Sequence, residues 1–364
     1  MTSPLAGSFP LVSLIVPMRN EAEHIGQCLD SLINQDYPAD QLEFLVIDGN
    51  SIDKSASIVQ SYTANHSNIR LLSNPRKITP TALNIGVQAA HGNLIVPVSA
   101  HSVLPSDYVR QCVRCIERTG ADNVGGLLIT MPRGMSSEAR LVQALTTHRF
   151  GVGNADYRLN ASERPADTVP YGCYRQEVFE RIGWFDERLV RNQDYEFNRR
   201  LLHAGGLIWR NPAIWVFYHN QGTLLGLLHQ ALFTGKYNPW MWYLAPYSFA
   251  SRHAIPGFFV LGLMVILGLT AITVYAWAAL AFIIISYYSL AIVASWQQAR
   301  RHGFWMLPLL PFLFFAYHVA YGIGILWGTL LLIIRRSPVQ NKSEPWPGAG
   351  RFRAWPKDAD PQKQ

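Results

Sequence analysis

Two long stretches without a single Asp, Glu, Lys or Arg, residues 255–296 and 304–334, constrain this chain more than anything else in it. A membrane-spanning helix needs about 20 apolar residues, so the first stretch has room for two helices in tandem and the second for one. In the second, only His318 titrates near neutral pH. Membrane integration is therefore the first expectation. The charged content of 15% against 49% hydrophobic residues reflects this C-terminal region rather than the whole chain. The formal net charge is +7, but the excess flanks the apolar runs at Arg252, Arg300, Arg301, Arg335 and Arg336. Such charges fix topology and meet anionic headgroups, so membrane lipids are expected partners and nucleic acid is not.

Two crossings return the basic QQARRH segment to the side of the N-terminal region, as the positive-inside rule requires. A third crossing sends the basic tail to the opposite side, against that rule. The alternative is a re-entrant 304–334 segment bent at Pro308 and Pro311; three crossings are the expectation carried forward. The first residues, MTSPLAGSFP, lack the basic and apolar regions of a signal peptide. The four cysteines form no disulfide framework, and Cys112 and Cys115 have CxxC spacing inside a helix-like segment with no second pair, so two half-buried helical thiols are expected there. A reduced soluble region facing the cytosol follows.

That soluble region alternates strands and helices. Residues 11–17, 42–47, 69–72 and 93–98 read as buried strands, and helical patterns occupy the segments after residue 20 and residues 55–64 and 79–90. Such alternation predicts right-handed βαβ units and a mostly parallel sheet flanked by helices. Ligands bind beyond the carboxyl ends of parallel strands. That rule selects residues 17–21, 48–51 and 99–101 as the loops lining one site. Further on, GWFDERLVRNQDYEFNRRLLHAGG carries acids at Asp194 and Glu196 before a helix that stops at Gly205-Gly206. A carboxylate there suits general-base chemistry, while acids in a first helical turn are also favoured by the macrodipole alone.

Taken in order, VSLIVPMRNE, VIDGNSIDKS, TALNIGVQAAHG and the tripeptide Ser99-Ala100-His101 resemble the nucleotide-sugar-binding half of family-2 glycosyltransferases of GT-A (Rossmann-like) fold. DTVPYGCYRQEVFERIGWFDERLVRNQDYEFNRRL, QALFTGKY and SRHAIP narrow the resemblance to the membrane glucosyltransferases of succinoglycan and exopolysaccharide synthesis. The likeness covers residues 12–256. It implies a catalytic domain at residues 1–222, an amphipathic interfacial segment at 223–253, a transmembrane region at 254–335 and a basic, disordered tail at 336–364.

The resemblance also implies roles. Asp48 would accept hydrogen bonds from the uracil or ribose of a UDP-sugar, with Pro17 and Glu21 lining the same pocket; Asp48-Gly49 is equally a common turn pair. Lys77 and Asn84 would flank the donor. Ser99-Ala100-His101 stands where the family carries D-x-D, the motif that holds a divalent ion on the diphosphate. His101 would ligate Mn²⁺ or Mg²⁺, imidazole suiting the former better. Ser99 lacks the expected carboxylate, which leaves the metal requirement open. Asp194 takes the place of the catalytic base, which in inverting transfer must lie in line with the anomeric carbon and opposite the leaving UDP. Glu196 would orient its helix, and Gly172, Cys173, Arg191 and, more weakly, Asp167 would lie on the acceptor side. Gln230 and Lys236 match a degenerate Q-x-x-R-W motif closing over the donor; Lys236 could equally snorkel to the membrane surface.

The function so implied is transfer of a hexose from a UDP-sugar to a lipid-linked oligosaccharide at the inner membrane. The alternatives are transfer to polyprenyl phosphate itself, or a catalytically impaired nucleotide-sugar-binding scaffold within a polysaccharide assembly complex.

Overall fold

The computed structural model describes residues 9–132, 134–153, 157 and 162–338. They form two compact units, one from residues 9–129 and 162–218, the other from residues 130–132, 134–153, 157 and 219–338.

The first unit is built on β1 (Val12–Met18), β2 (Leu42–Asp48), β3 (Ile69–Ser73) and β4 (Leu94–Pro97). These pair in parallel in the order β3-β2-β1-β4, with Val12 opposite both Leu42 and Leu94. β1 is apolar and almost wholly buried because helices cover both of its faces, as parallel strands require. On one face lies α1 (Ile25–Ile33), whose Ile25, Cys28, Leu29 and Leu32 repeat at helical spacing. Beside it pack α2 (Ser55–Thr63) through Val59 and α4 (Tyr108–Thr119) through Val109, Cys112, Val113 and Ile116. The opposite face is covered by α3 (Thr79–Ala89), α7 (Gln176–Ile182) and α8 (Gln193–His203). Phe197 of α8 stacks on Phe185 at 4.6 Å and Phe179 at 5.1 Å, anchoring that helix.

Beyond β4 the sheet turns antiparallel through β8 (Cys173–Arg175), β6 (Asn123–Met131), β9 (Ile208–His219) and β5 (Ser102–Val103), with β7 (Arg164–Pro165) on β9. The sequence pattern had given the four parallel strands but not these. Several are only two or three residues long, too short for a period to show. Cys112 and Cys115 are free thiols of α4, helical as expected but fully rather than half-buried.

The second unit gathers α5 (Ser137–Thr146), α6 (Arg149–Val152) and four long helices: α9 (Leu224–Leu244), α10 (Ser251–Leu269), α11 (Val274–His302) and α12 (Leu310–Ile333). The last three are long and apolar enough to cross a membrane, and two of them fall in the first charge-free stretch and one in the second. α12 is continuous: Pro308 precedes it and Pro311 sits in its first turn, where proline costs no hydrogen bond. It is therefore not bent in the way a re-entrant segment would be.

The unit boundary differs from the one drawn at residue 222. The helices α5 and α6 cluster with the apolar helices because Leu141, Val142 and Leu145 of α5 share a core with Met306, Leu310 and Phe314. α9 also differs from the amphipathic helix expected within 223–253. Its buried stripe contains Gly235 and Asn238, while Leu225 is exposed. It packs backbone to backbone on α12 through Gly235, Gly324 and Gly328, where an added Cβ would lie 2.1–2.2 Å from a carbonyl oxygen of the facing helix. Small residues permit that approach, so packing rather than amphipathicity holds α9. Residues 339–364, most of the tail expected to be disordered, lie outside the described residues.

Candidate active site

The loops after β1, β2 and β4 meet at the carboxyl edge of the parallel strands, and side-chain hydrogen bonds lock the first two together. Asn20 N–H donates to Ser51 Oγ at 2.9 Å, and Ile52 N–H donates to Asn20 Oδ1 at 2.9 Å. Glu21 N–H donates to Ser55 Oγ at 2.7 Å, and Ala22 N–H to Asp53 Oδ2 at 3.1 Å. Asn20 and Asn50 take left-handed conformations with φ of 55° and 56°, which asparagine tolerates better than most residues. Asp48 accepts from Ser51 Oγ at 2.6 Å and Ser51 N–H at 3.1 Å. It thus closes its own turn while remaining half-buried at the strand end. Pro17, one residue before the end of β1, is half-buried opposite Ile47.

The third loop reaches back to the first. His101 Nδ1 lies 3.3 Å from Glu21 Oε1. Ser99 Oγ lies 3.0 Å from Nε2 and 3.2 Å from Nδ1 of the same ring, so one hydroxyl faces both nitrogens and bonds well to one at most. The Tyr218 ring of β9 lies 5.8 Å from the imidazole. Below the loop, Cys28 Sγ reaches Ser99 O at 3.6 Å, and burial, with Glu21 adding to it, pushes this thiol up to about 12. Cys28 stays a protonated, inert packing group.

Glu21 and His101 fit a divalent ion as a pair. Two donors in adjacent octahedral positions at about 2.1 Å from a metal lie about 3 Å apart, close to the spacing found. Among the described residues no cluster of three His, Cys, Asp or Glu side chains with metal-binding geometry occurs. Such ions are commonly held by one or two protein groups plus substrate phosphates.

Asp194 begins the first turn of α8, after Asn192 at φ 63°. The residue keeps an open surface, yet crowding by neighbouring protein desolvates its carboxylate and raises its pKa against the lowering effect of the Tyr195 and Asp194 backbone N–H groups. Among the described residues no ion pair engages it. Glu196, two residues on, is its opposite. It is 1% exposed and held bidentately by Arg200, with Nε–Oε1 at 3.0 Å and Nη2–Oε2 at 2.7 Å. Arg200 also donates to the carbonyls of Ile182 and Trp184, so the pair ties α8 to the turn before it.

Other residues singled out in the sequence are placed less directly. Asn84 is 2% exposed, and its amide bonds Phe185 N–H and C=O and Glu187, a carboxylate also held by Arg76. Any effect of Asn84 on a donor would pass through that loop. Lys77 is exposed at φ 62°. Gly172 and Cys173 are buried, with Gly172 packed against Asn123, so neither presents an atom to an acceptor; Arg191 and Asp167 are half-buried. Gln230 and Lys236 belong to α9 of the second unit, where Lys236 Nζ lies 4.4 Å from the Trp327 ring. Sequence reasoning missed Ser51 as the bridge between the first two loops, and Tyr171 and Tyr218 at the His101 loop. The last two lie roughly 70 and 117 positions from His101.

Residues 13–183, which carry three of these loops, match the model of glycosyl transferase family 2. The succinoglycan biosynthesis protein ExoA of Rhizobium meliloti (strain 1021) is 26% identical over 89% of this chain and 96% of its own length, so the likeness extends through the apolar helices. A dolichyl N-acetyl-alpha-D-glucosaminyl phosphate 3-beta-D-2,3-diacetamido-2,3-dideoxy-beta-D-glucuronosyltransferase of Methanococcus voltae is 27% identical over 62% of this chain and 71% of its own. Among solved structures, the mannosyltransferase PcManGT from Pyrobaculum calidifontis, in complex with GDP-Man and Mn²⁺, aligns over 87% of both chains with a TM-score of 0.57 and 20% identity. That likeness supports the GT-A fold.

Proposed function

We propose that this protein is a glycosyltransferase that moves a hexose, with inversion, from a UDP-sugar to a lipid-linked saccharide at the cytosolic face of the inner membrane. The observation that carries the proposal is Asp194: an accessible, unpaired carboxylate at a helix start, with a pKa raised toward the range useful to a base. Asp194 takes the proton of the attacking acceptor hydroxyl. Glu196, already committed to Arg200, keeps α8 in place. Glu21 and His101 would hold a divalent ion, Mn²⁺ suiting their mixed oxygen and nitrogen donors, and that ion would neutralise charge on the leaving diphosphate. Asp48 and Pro17 border the nucleoside. Three helices long and apolar enough to cross a membrane are in keeping with a lipid-borne acceptor, and the Methanococcus relative, named for a dolichyl-phosphate-linked sugar, favours such an acceptor.

Ser99 in place of the expected acid favours a second reading, a nucleotide-sugar-binding scaffold of a polysaccharide assembly complex. Detergent-solubilised full-length protein incubated with UDP-hexoses, Mn²⁺ and polyprenyl-linked saccharides separates the two. Acceptor-dependent release of UDP is expected. Binding of UDP-sugar without release from any donor would replace the enzyme with the scaffold, and product formed on polyprenyl phosphate alone would redefine the acceptor.

A further inference from the structure

We propose that Tyr171 is a positioning residue whose phenol, acting through Ser102, holds the loop that presents the His101 imidazole to its ligand. The inference rests on the reading of His101 as a metal-holding residue given above.

Tyr171 adopts φ 48°, a left-handed conformation that a bulky aromatic residue rarely takes. Such strain persists only where the surroundings over-determine it, and it clusters at functional sites. The surroundings here are specific. Tyr108, fully buried in α4, donates its hydroxyl to the Tyr171 carbonyl. Ser102 Oγ donates to the Tyr171 phenol at 2.7 Å. Ser102 directly follows His101 in the chain, so the phenol ties down the end of the loop that carries the imidazole.

The register explains why this residue reaches that loop. β8 runs antiparallel to β4, with Ile95 opposite Tyr174. The residues just before β8 therefore approach the end of β4, where the His101 loop begins. Burial raises the phenol well above the ordinary tyrosine range, so it stays protonated while it accepts from Ser102. Holding the residue next to His101 is the kind of outer contact that fixes a ligating histidine's ring plane.

The test uses the full-length protein in detergent with Mn²⁺ as the probe, alone and with UDP. Binding is read from the loss of the free Mn²⁺ paramagnetic resonance signal, and turnover from the Mn²⁺ dependence of UDP release. Tyr171→Phe keeps the ring and removes the hydroxyl. It is expected to weaken Mn²⁺ binding about tenfold or more, with an unchanged thermal midpoint and with kcat recovering at saturating Mn²⁺. A loop held only for stability would lower the midpoint and leave the metal dependence alone. Ser102→Ala, which removes the other end of the same hydrogen bond, should shift Mn²⁺ dependence in the same direction and serves where Tyr171→Phe fails to fold. If His101→Ala loses Mn²⁺ while Tyr171→Phe and Ser102→Ala bind it as the unaltered protein does, the positioning role is wrong and the metal reading stands. If the unaltered protein binds no Mn²⁺ with or without UDP, both are overturned.

Discussion

The two ends of the parallel sheet use their polar side chains in opposite ways. At the amino end, Glu43 accepts from Ser13 Oγ at 2.6 Å, His91 N–H at 3.0 Å and Arg70 Nη1 at 3.1 Å, with His91 Nδ1 at 2.8 Å. Ser13 Oγ also takes the Gly92 N–H at 2.9 Å. The carboxylate is saturated, and none of these residues has a strained backbone. At the carboxyl end, Glu21 and His101 face each other at 3.3 Å with open surface, and the loops following β1, β2 and β3 each contain a residue at positive φ: Asn20, Asn50 and Lys77. A saturated carboxylate with relaxed backbone is a fastening. Open donors on strained loops are poised for a ligand that is not part of the chain. Asp194 and Glu196 repeat the contrast two residues apart on one helix.

The largest expected effect falls on Asp194. Asp194→Asn keeps the shape and cannot accept a proton, so transfer should fall about 10²- to 10⁴-fold, the range for loss of a general base. Donor binding should barely move. Initial rates beside a UDP-sugar binding curve check both halves. Near-normal transfer in Asp194→Asn would remove this carboxylate from the reaction and with it the contrast with Glu196.

The parallel half of the sheet was legible because its strands are continuous apolar runs between helices of clear period, and its loops could be located by topology alone. The apolar helices were legible from the absence of charge. What the sequence concealed were contacts between distant positions. Nothing in the order of residues shows that Asn84 is spent on Phe185 and Glu187, or that the Tyr171 phenol meets Ser102. The character of α9 was misread for a related reason: its aromatic and apolar residues resemble an interfacial helix, whereas its fit to α12 depends on three glycines contributed by both helices.

Next in size is the fastening itself. Glu43→Gln discards the charge that holds Ser13, Arg70 and His91 together. With Arg70 and His91 partly open to solvent, the loss should be about 1–2 kcal/mol. It should appear as a lower thermal midpoint with unchanged kcat per folded molecule. A change in donor KM would show that the two ends of the sheet are not separate in function. His101→Ala should do the reverse, weakening apparent Mn²⁺ affinity about 10- to 100-fold with little change in midpoint. Unaltered metal titrations there, and in Ser99→Asp, would remove the metal from this loop.

The smallest effect is the one that distinguishes the carboxylates by sign. Burial alone would raise the pKa of Glu43, but its hydrogen bonds from Ser13 and His91 outweigh burial and leave it lowered. Its contribution to stability is therefore present above the unfolded value of about 4.3 and is lost as pH falls through the folded one. Asp194 is raised by desolvation from the protein crowded around its carboxylate, so it favours the folded state below its unfolded value of about 3.9, and that contribution is lost as pH rises through the folded value. Thermal midpoints measured from pH 3 to 8 should show Glu43→Gln less stable than the unaltered protein at neutral pH, with the gap closing in acid. Asp194→Asn should be slightly more stable at neutral pH, with its gap also closing in acid. Because Asp194 must be ionised to act as base, the acid limb of kcat should also lie above the ordinary carboxylate range. A limb at the ordinary value, or an Asp194→Asn protein less stable at pH 7, would mean that the carboxylate is held charged by the fold. It would then be a fastening like Glu43, and the base would have to be sought elsewhere.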